Sequence, residues 1–249
     1  MGRIIVFDVN ETLLDVQTLS PYFEHMFGDK NSLREWFSLL LLHSEAATLA
    51  GPYFDFGTLA GAALDMIGAS RSQRVTEVEK KKILDAIVRL PPHPEVKHAL
   101  GILKNAGLRM VTLTSSSQKA VEQQVHNAGL MEFFEKNFSV DAINRYKPAP
   151  EAYRMVAAAL GVETGQLRLV AAHDWEHSGR DAGWLLRGIY RAKGPGLVST
   201  DTTAGCDWSR PQRRGRTNRT PRKGLAANYS CFTSSFNRVS WNEGGASEQ

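Results

Sequence analysis

The sequence predicts an α/β fold in which a doubly wound parallel sheet carries an inserted helical domain, and three observations predict it. First, a run of β-branched and aromatic residues, Ile4 to Phe7, is cut off by the carboxylate of Asp8. Four apolar residues are too few for a stable helix and suit a strand buried on both faces of a parallel sheet. Second, about 75 residues of helical pattern follow with no strand among them. Third, beyond Pro91-Pro92-His93-Pro94 the chain alternates between strand and helix, and each strand ends in polar residues.

Taken in order, the first strand delivers Asp8 at its carboxyl end, where open α/β sheets place their chemistry. Aspartate is also a common cap residue, so this position alone leaves catalysis and turn capping both open. Candidate helices then run over Ser20 to Phe27, Ser32 to Leu49, Tyr53 to Ile67 and Thr76 to Arg89, jointed at Gly28-Asp29, Gly51-Pro52 and Gly68-Ala69. Four helices make a poor crossover between strands, so this block is expected to be a domain inserted after the first strand. The proline-rich segment from Pro91 closes it as a rigid linker. Glu95 to Ala106 is expected as a helix, Leu108 to Leu113 as a strand tipped by Thr114-Ser115-Ser116-Ser117, and Gln118 to Ala128 as a helix. A short strand at Phe138 to Val140, a helix over Ala149 to Leu160 and a strand at Leu167 to Ala172 follow. A last strand is expected near Gly188 to Tyr190. The expected division is 1–15 with 91–198 as the α/β core, 16–90 as a helical cap, and 199–249 as a basic low-complexity tail. This topology gathers Asp8, Thr12, Thr114, Ser115, Lys147, Asp174 and Glu176 at one edge of the sheet.

Bulk properties narrow the function classes. At 249 residues, 42% hydrophobic and 22% charged, the chain reads as an ordinary globular protein that can bury a large core without staples. No stretch approaches the roughly 18 apolar residues of a membrane span, and no signal peptide is evident. Two cysteines, Cys206 and Cys231, are too few for a disulfide framework or a zinc site and point to a reducing cytoplasm. The net charge of +4 is uneven, because from Arg191 onward ten Lys or Arg face four Asp or Glu. The first 190 residues are therefore slightly acidic, which argues against nucleic-acid binding by the folded part.

Four motifs in this order resemble the haloacid dehalogenase superfamily, and more closely its type II branch, the (S)-2-haloacid dehalogenases. They are Asp8-x-x-x-Thr12 with Leu13-Leu14-Asp15, the strand-terminal Thr114-Ser115, Lys147-Pro148-x-Pro150-x-x-Tyr153, and Ala171-Ala172-His173-Asp174-Trp175-Glu176. The similarity runs from Arg3 to about Tyr190. It implies a Rossmann-like core with a helical cap and a nucleophilic mechanism in which Asp8 displaces a leaving group and forms a covalent ester. Lys147 would keep Asp8 ionised, and Thr12 with Thr114 or Ser115 would donate hydrogen bonds to the nucleophile or to a substrate anion. Glu176, with Asp174 as a second candidate, matches the carboxylate that prepares the hydrolytic water. Tyr153 matches a tyrosine near the substrate, and His173 stands where the dehalogenases tend to have asparagine.

Position 10 separates the branches. Phosphatases of the superfamily carry a second aspartate there as general acid and base, whereas Asn10 cannot exchange that proton. Ala171 and Ala172 stand where the phosphatase pattern has an acidic metal ligand. The resemblance therefore implies no cofactor, with Mg²⁺ required only under a phosphatase reading.

Two departures stand out. The dehalogenases hold substrate with an arginine from the first long cap helix, and counting back from Gly51-Pro52-Tyr53-Phe54-Asp55-Phe56 puts Leu39 at that place. Arg34 would lie about 140° off that face at roughly 100° per residue. His43, one turn from Leu39, would share its side, and Leu39 to Leu42 would make an apolar cap lining. The composition of 199–249 predicts disorder, and an altered reading frame that replaces the family's last strand and helix accounts for it more simply than a nucleic-acid or lipid contact.

The expected partner is a small-molecule substrate, with no membrane, no nucleic acid except through the tail, and a homodimer left open. Three functions remain at this point: a metal-independent dehalogenase, a phosphatase or other hydrolase of the same superfamily, and a catalytically weak binding protein.

Overall fold

Every residue of β1 (Ile4–Phe7) is buried to within 2% of full exclusion from solvent. That is what an unbroken apolar run requires of a strand covered on both faces. In the computed structural model, which describes residues 4–173 together with Ile189–Arg191 and Leu197–Ser199, β1 lies inside a six-stranded sheet. It pairs in parallel with β2 (Arg109–Thr114) on one side and β4 (Leu167–Ala171) on the other. The order is completed by β3 (Lys136–Ser139) beyond β2, and by β5 (Ile189–Arg191) and β6 (Leu197–Ser199) beyond β4. The chain builds outward from β1 through β2 to β3 and then returns to place β4 on the opposite side. The strand order thus reverses at β1, and the crevice at its carboxyl end is where such sheets bind ligands.

The sheet departs from an all-parallel plan at its edge, where β6 pairs antiparallel with β5. Only the stretch 192–196 joins them, and a parallel crossover needs a dozen or more residues. The expected boundary between core and tail at 199 therefore cuts through the end of a strand. Asp174, Glu176 and the expected tail beyond Ser199 lie outside the described residues.

Between β1 and Leu90 the chain is helical, with α1 (Ser20–Phe27), α2 (Ser32–Ala50), α3 (Phe56–Ser70) and α4 (Glu77–Ile87). The ends follow local chemistry. Gly28 closes α1 at φ 69°, a left-handed conformation that costs glycine nothing. A capping box between Thr76 and Glu79 opens α4. The Asp55 side chain accepts from the Thr58 N–H at 3.0 Å and starts α3 three residues later than the apolar pattern suggests, which leaves Tyr53 outside the helix. Trp36 is buried and its Nε1 donates to the Ala60 carbonyl at 2.9 Å, tying α2 to α3. No helix among the described residues is long and apolar enough to cross a membrane. The remaining helices, α5 (Val96–Asn105), α6 (Gln118–Asn127) and α7 (Pro150–Leu160), alternate with the strands as expected.

Tyr53 finds a partner in the α/β layer instead. Its ring stacks on Tyr146 with centroids 5.3 Å apart, and its hydroxyl donates to Asp141. Tyr146 in turn donates to the Phe54 carbonyl at 2.6 Å, and its backbone N–H donates to Thr48 Oγ1 at 2.9 Å. Arg145 adds a bond to the Thr48 carbonyl. Burial, and for Tyr53 the adjoining Asp141 carboxylate, push both phenols well above the ordinary tyrosine range. The unfolded chain loses these protons near pH 10 while the folded chain keeps them. The unfolded state then binds fewer protons, so stability is complete below about pH 10 and falls as pH rises beyond it. Urea midpoints measured between pH 8 and 11 should decline along this limb, and Tyr53→Phe and Tyr146→Phe should flatten the decline. An alkaline limb unchanged in both variants would assign the loss to other groups.

Candidate active site

Asp8 follows β1 directly, and its backbone N–H donates to the Val170 carbonyl at 3.0 Å, so the strand pairing itself fixes where the carboxylate stands. The side chain is 6% exposed. Lys147 Nζ donates to Oδ1 at 2.7 Å, and Thr12 Oγ1 donates to Oδ2 at 2.6 Å. Thr12 also accepts from the Ala172 N–H at 2.8 Å, which ties the ends of β1 and β4 together through one hydroxyl. Lys147, only 2% exposed, arrives from the segment between β3 and α7. Burial of both groups leaves the carboxylate dehydrated beside a fixed nitrogen.

The turn after Asp8 is tight. The N–H groups of Leu13 and Leu14 both donate to the Val9 carbonyl, at 2.8 and 3.0 Å, and Glu11 adopts φ 62°. This conformation carries the Glu11 side chain toward the end of β4, where Glu11 Oε2 meets His173 Nε2 at 2.7 Å. The other ring nitrogen, Nδ1, lies 3.9 Å from Asp8 Oδ2. The sequence placed His173 at the site, but nothing in it singled out Glu11.

The β2 end contributes Thr114 and Ser115, both buried. Thr114 Oγ1 accepts from the Ser116 N–H at 3.1 Å and so braces its own turn. Asn10 is held by two protein side chains. Its Nδ2 donates to Ser116 Oγ at 3.1 Å and its Oδ1 accepts from Gln124 Nε2 at 2.9 Å. Both ends of the amide are thus taken by protein groups. Gln124, fully buried on the apolar stripe of α6 between Val121 and Val125, also donates to the Ile87 carbonyl at 3.1 Å. A polar residue on that stripe was the sequence signal for this brace. Tyr153 is buried on α7, one helical turn beyond the proline that starts it.

The helical layer changes the reading of α2. A cavity of about 640 Å³ opens between it and the sheet end, lined on the sheet side by Glu11 and His173 and on the α2 side by Arg34, Phe37, Ser38 and Leu41. Leu39 and His43 do not line it. Leu39 packs half-buried against the hydrophobic cluster, about 200° around the helix from Phe37 at roughly 100° per residue. Phe37 instead occupies the position over the site, with its ring stacked on His173 at 6.0 Å between centroids. Arg34, expected to point away, shares the Phe37 face and lines the cavity. Leu39 to Leu42 cover every direction around the helix, so their hydrophobicity carries no information about which face turns inward.

Comparison with known proteins gives a consistent picture. Residues 3–167 match the family model described as haloacid dehalogenase-like hydrolase. Haloacetate dehalogenase H-2 of Moraxella sp. strain B is 29% identical over 180 residues, covering 72% of this chain and 80% of that protein. (S)-2-haloacid dehalogenase 1 of Pseudomonas sp. strain CBS-3 is 32% identical over 184 residues, with the same coverage of 72% and 80%. Among solved structures, the L-2-haloacid dehalogenase from Xanthobacter autotrophicus with chloropropionic acid covalently bound superimposes with a TM-score of 0.69 at 27% identity, covering 74% of this chain and 76% of that one.

Proposed function

Because the chain belongs to the haloacid dehalogenase-like hydrolases, we propose that it hydrolyses the carbon–halogen bond of a small 2-haloacid through an ester at Asp8. One observation carries this reading: the Asp8 carboxylate is buried, with one oxygen on Lys147 and the other on Thr12. Stripped of water and fixed in direction, it is a nucleophile prepared for in-line attack. Attack on the carbon bearing halogen forms the ester with inversion, and halide leaves as an anion that needs no proton. Water then attacks the ester and releases a 2-hydroxy acid. The named activities of the relatives, on haloacetate and on (S)-2-haloacids, point to the same substrate class.

The substrate's own carboxylate requires a positive group, and Arg34 and Lys30 on the wall of the cavity are placed to supply it. Phe37 and Leu41 give the same wall an apolar surface for the carbon skeleton. No cofactor enters this scheme. Lys147 already sets a cation against Asp8 Oδ1, and the neutral amide of Asn10 is a weaker ligand for a hard divalent cation than a carboxylate. That amide also counts against a phosphatase, which needs a proton donor at that position. The partner in this scheme is the small-molecule substrate alone, and two cysteines in 249 residues suit a cytoplasmic setting.

Incubation with (S)-2-chloropropionate should release chloride at the same rate with EDTA or with Mg²⁺, and an aryl phosphate should remain intact in both. Magnesium-dependent phosphate release without chloride release would replace the proposal with a phosphatase. Inactivity in both assays, with salt-sensitive DNA binding lost on truncation at Ser199, would mark a binding protein instead.

A further inference from the structure

Resting on the proposed ester at Asp8, we infer that the site takes a 2-haloacid with a second carboxylate, a 2-halosuccinate, whose distal acid meets Lys30 while Arg34 holds the acid beside the reacting carbon. The two cations and Phe37 line one cavity from a single stripe of the helical layer. The Leu33 N–H donates to the Lys30 carbonyl at 3.3 Å and Asn31 has a helical backbone, so the spacing of α2 carries back to Lys30. At roughly 100° per residue the three positions lie within about 60° of one another. Phe37 marks the reacting end, because its ring stacks on His173, whose Nδ1 lies 3.9 Å from Asp8 Oδ2. At a rise of about 1.5 Å per residue, Arg34 starts about 4.5 Å along the axis from Phe37 and Lys30 about 10.5 Å. Positive charge is thus offered at two depths, and a substrate with one carboxylate has nothing to place at the second.

Charge and spacing both fit such a substrate. Among the described residues neither Lys30 nor Arg34 is in an ion pair, whereas Lys80, Lys81, Lys104 and Arg109 are. Like charges four residues apart on a helix repel each other, and one acid on each offsets that. Side chains at this spacing leave the helix about 5 to 6 Å apart. The carboxyl carbons of a succinate skeleton are separated by three bonds of about 1.5 Å, a span of roughly 4 Å that the carboxylate oxygens extend to the same range. The acids nearby leave this end of the cavity positive. Asp29 turns its carboxylate onto the Asn31 N–H at 2.9 Å, and Glu11 is taken up by His173 at 2.7 Å. Glu45 lines the cavity eleven residues beyond Arg34, about 16 Å along the axis. The cavity of about 640 Å³ does not confine the substrate to three carbons either.

The chemistry is that of the proposed ester. An Asp8 oxygen bonds to C2 of the halosuccinate, the carbon–halogen bond breaks, and halide leaves with its electron pair. Water then adds to Asp8 Cγ, and the bond from Cγ to the ester oxygen breaks. That oxygen leaves on C2 with one proton of the water, the other proton is released, and the Asp8 carboxylate is restored. The products are 2-hydroxysuccinate and halide, and both carboxylates of the substrate pass through unchanged.

The test compares chloride release by the full chain from (S)-2-chlorosuccinate and from its distal monoamide, which has the same skeleton without the second charge, beside (S)-2-chloropropionate. The kcat/KM for chlorosuccinate should exceed that for the monoamide by at least about 5-fold, the scale of one exposed ion pair, and the preference should shrink as salt is added. Lys30→Met should bring the ratio to within about 2-fold of unity, Lys30→Arg should keep it, and Lys30→Glu should reverse it. Lys30 is exposed, so an unchanged urea midpoint will show that these variants are folded. A ratio near unity in the unaltered protein would overturn the inference, as would a ratio that survives Lys30→Met. Equal losses for both substrates in Lys30→Met would show that both cations clasp one carboxylate, which also overturns it. Chloride from chloropropionate but none from chlorosuccinate would remove the inference and leave the proposed function standing. Chloride from none of the three would remove both.

Discussion

Asp8→Asn is expected to reduce chloride release by at least about 10⁴-fold and to leave the Asp8 peptide at its unmodified mass after exposure to (S)-2-chloropropionate. The substitution is nearly isosteric, and the site can accept it. Thr12 Oγ1 already accepts from the Ala172 N–H and has a second lone pair for the new amide, while the remaining amide oxygen still faces Lys147. The chain should still fold, at a lower urea midpoint because the buried Lys147 ammonium loses its counter-ion, and what disappears from the chemistry is the negatively charged oxygen that forms the bond to carbon. An amide is too poor a nucleophile to replace it. Retention of more than about 1% of turnover would mean that another residue, or water directly, attacks the substrate.

Lys147→Met is expected to abolish turnover and to cost about 3 to 5 kcal/mol of stability, read as a lower urea midpoint. The two charged side chains are only 2% and 6% exposed. Each therefore depends on the other for the charge stabilisation that water would otherwise supply. Methionine fills the volume of the lysine stem but leaves the carboxylate buried without a cation. The double variant Asp8→Asn with Lys147→Met removes both charges of this pair, so it should regain stability relative to Lys147→Met while remaining inactive. This separates the structural cost of a broken pair from the chemical loss. A single Lys147→Met variant within about 1 kcal/mol of the parent would show that water reaches the carboxylate and takes over the cation's role.

Much of this arrangement was legible in the sequence because it rests on short-range chemistry. Ile4 to Phe7 followed by Asp8 could be placed by its pattern, and the helix over Ser20 to Phe27 ends at a glycine, as the sequence shows. Lys147, Thr12 and Asp8 meet because the segments that leave β1 and β3 emerge at the same edge of the sheet, which follows from topology once the strands are assigned. What escaped is what depends on direction. Leu39 to Leu42 gave no face to α2, so the count from the following loop selected Leu39 where the fold presents Phe37. Asn10 signalled its chemistry as a missing acid but not its orientation, which is set by Gln124 from more than a hundred residues away. Glu11 passed as an ordinary turn residue, because a positive φ is written in the backbone and not in the residue type. The antiparallel β6 was hidden by a stretch whose composition resembles a tail.

The bonds of Tyr146 to Thr48 and Phe54 have a mechanical meaning. Tyr146 precedes Lys147 in the chain, so the helical layer is fastened at the residue next to the nucleophile's counter-ion. Prising that side apart would drag the ammonium from Asp8, so the contact that joins the two layers also guards the charge pair. None of the fastening residues is among the described lining of the cavity, where Lys30, Arg34 and Glu45 stand.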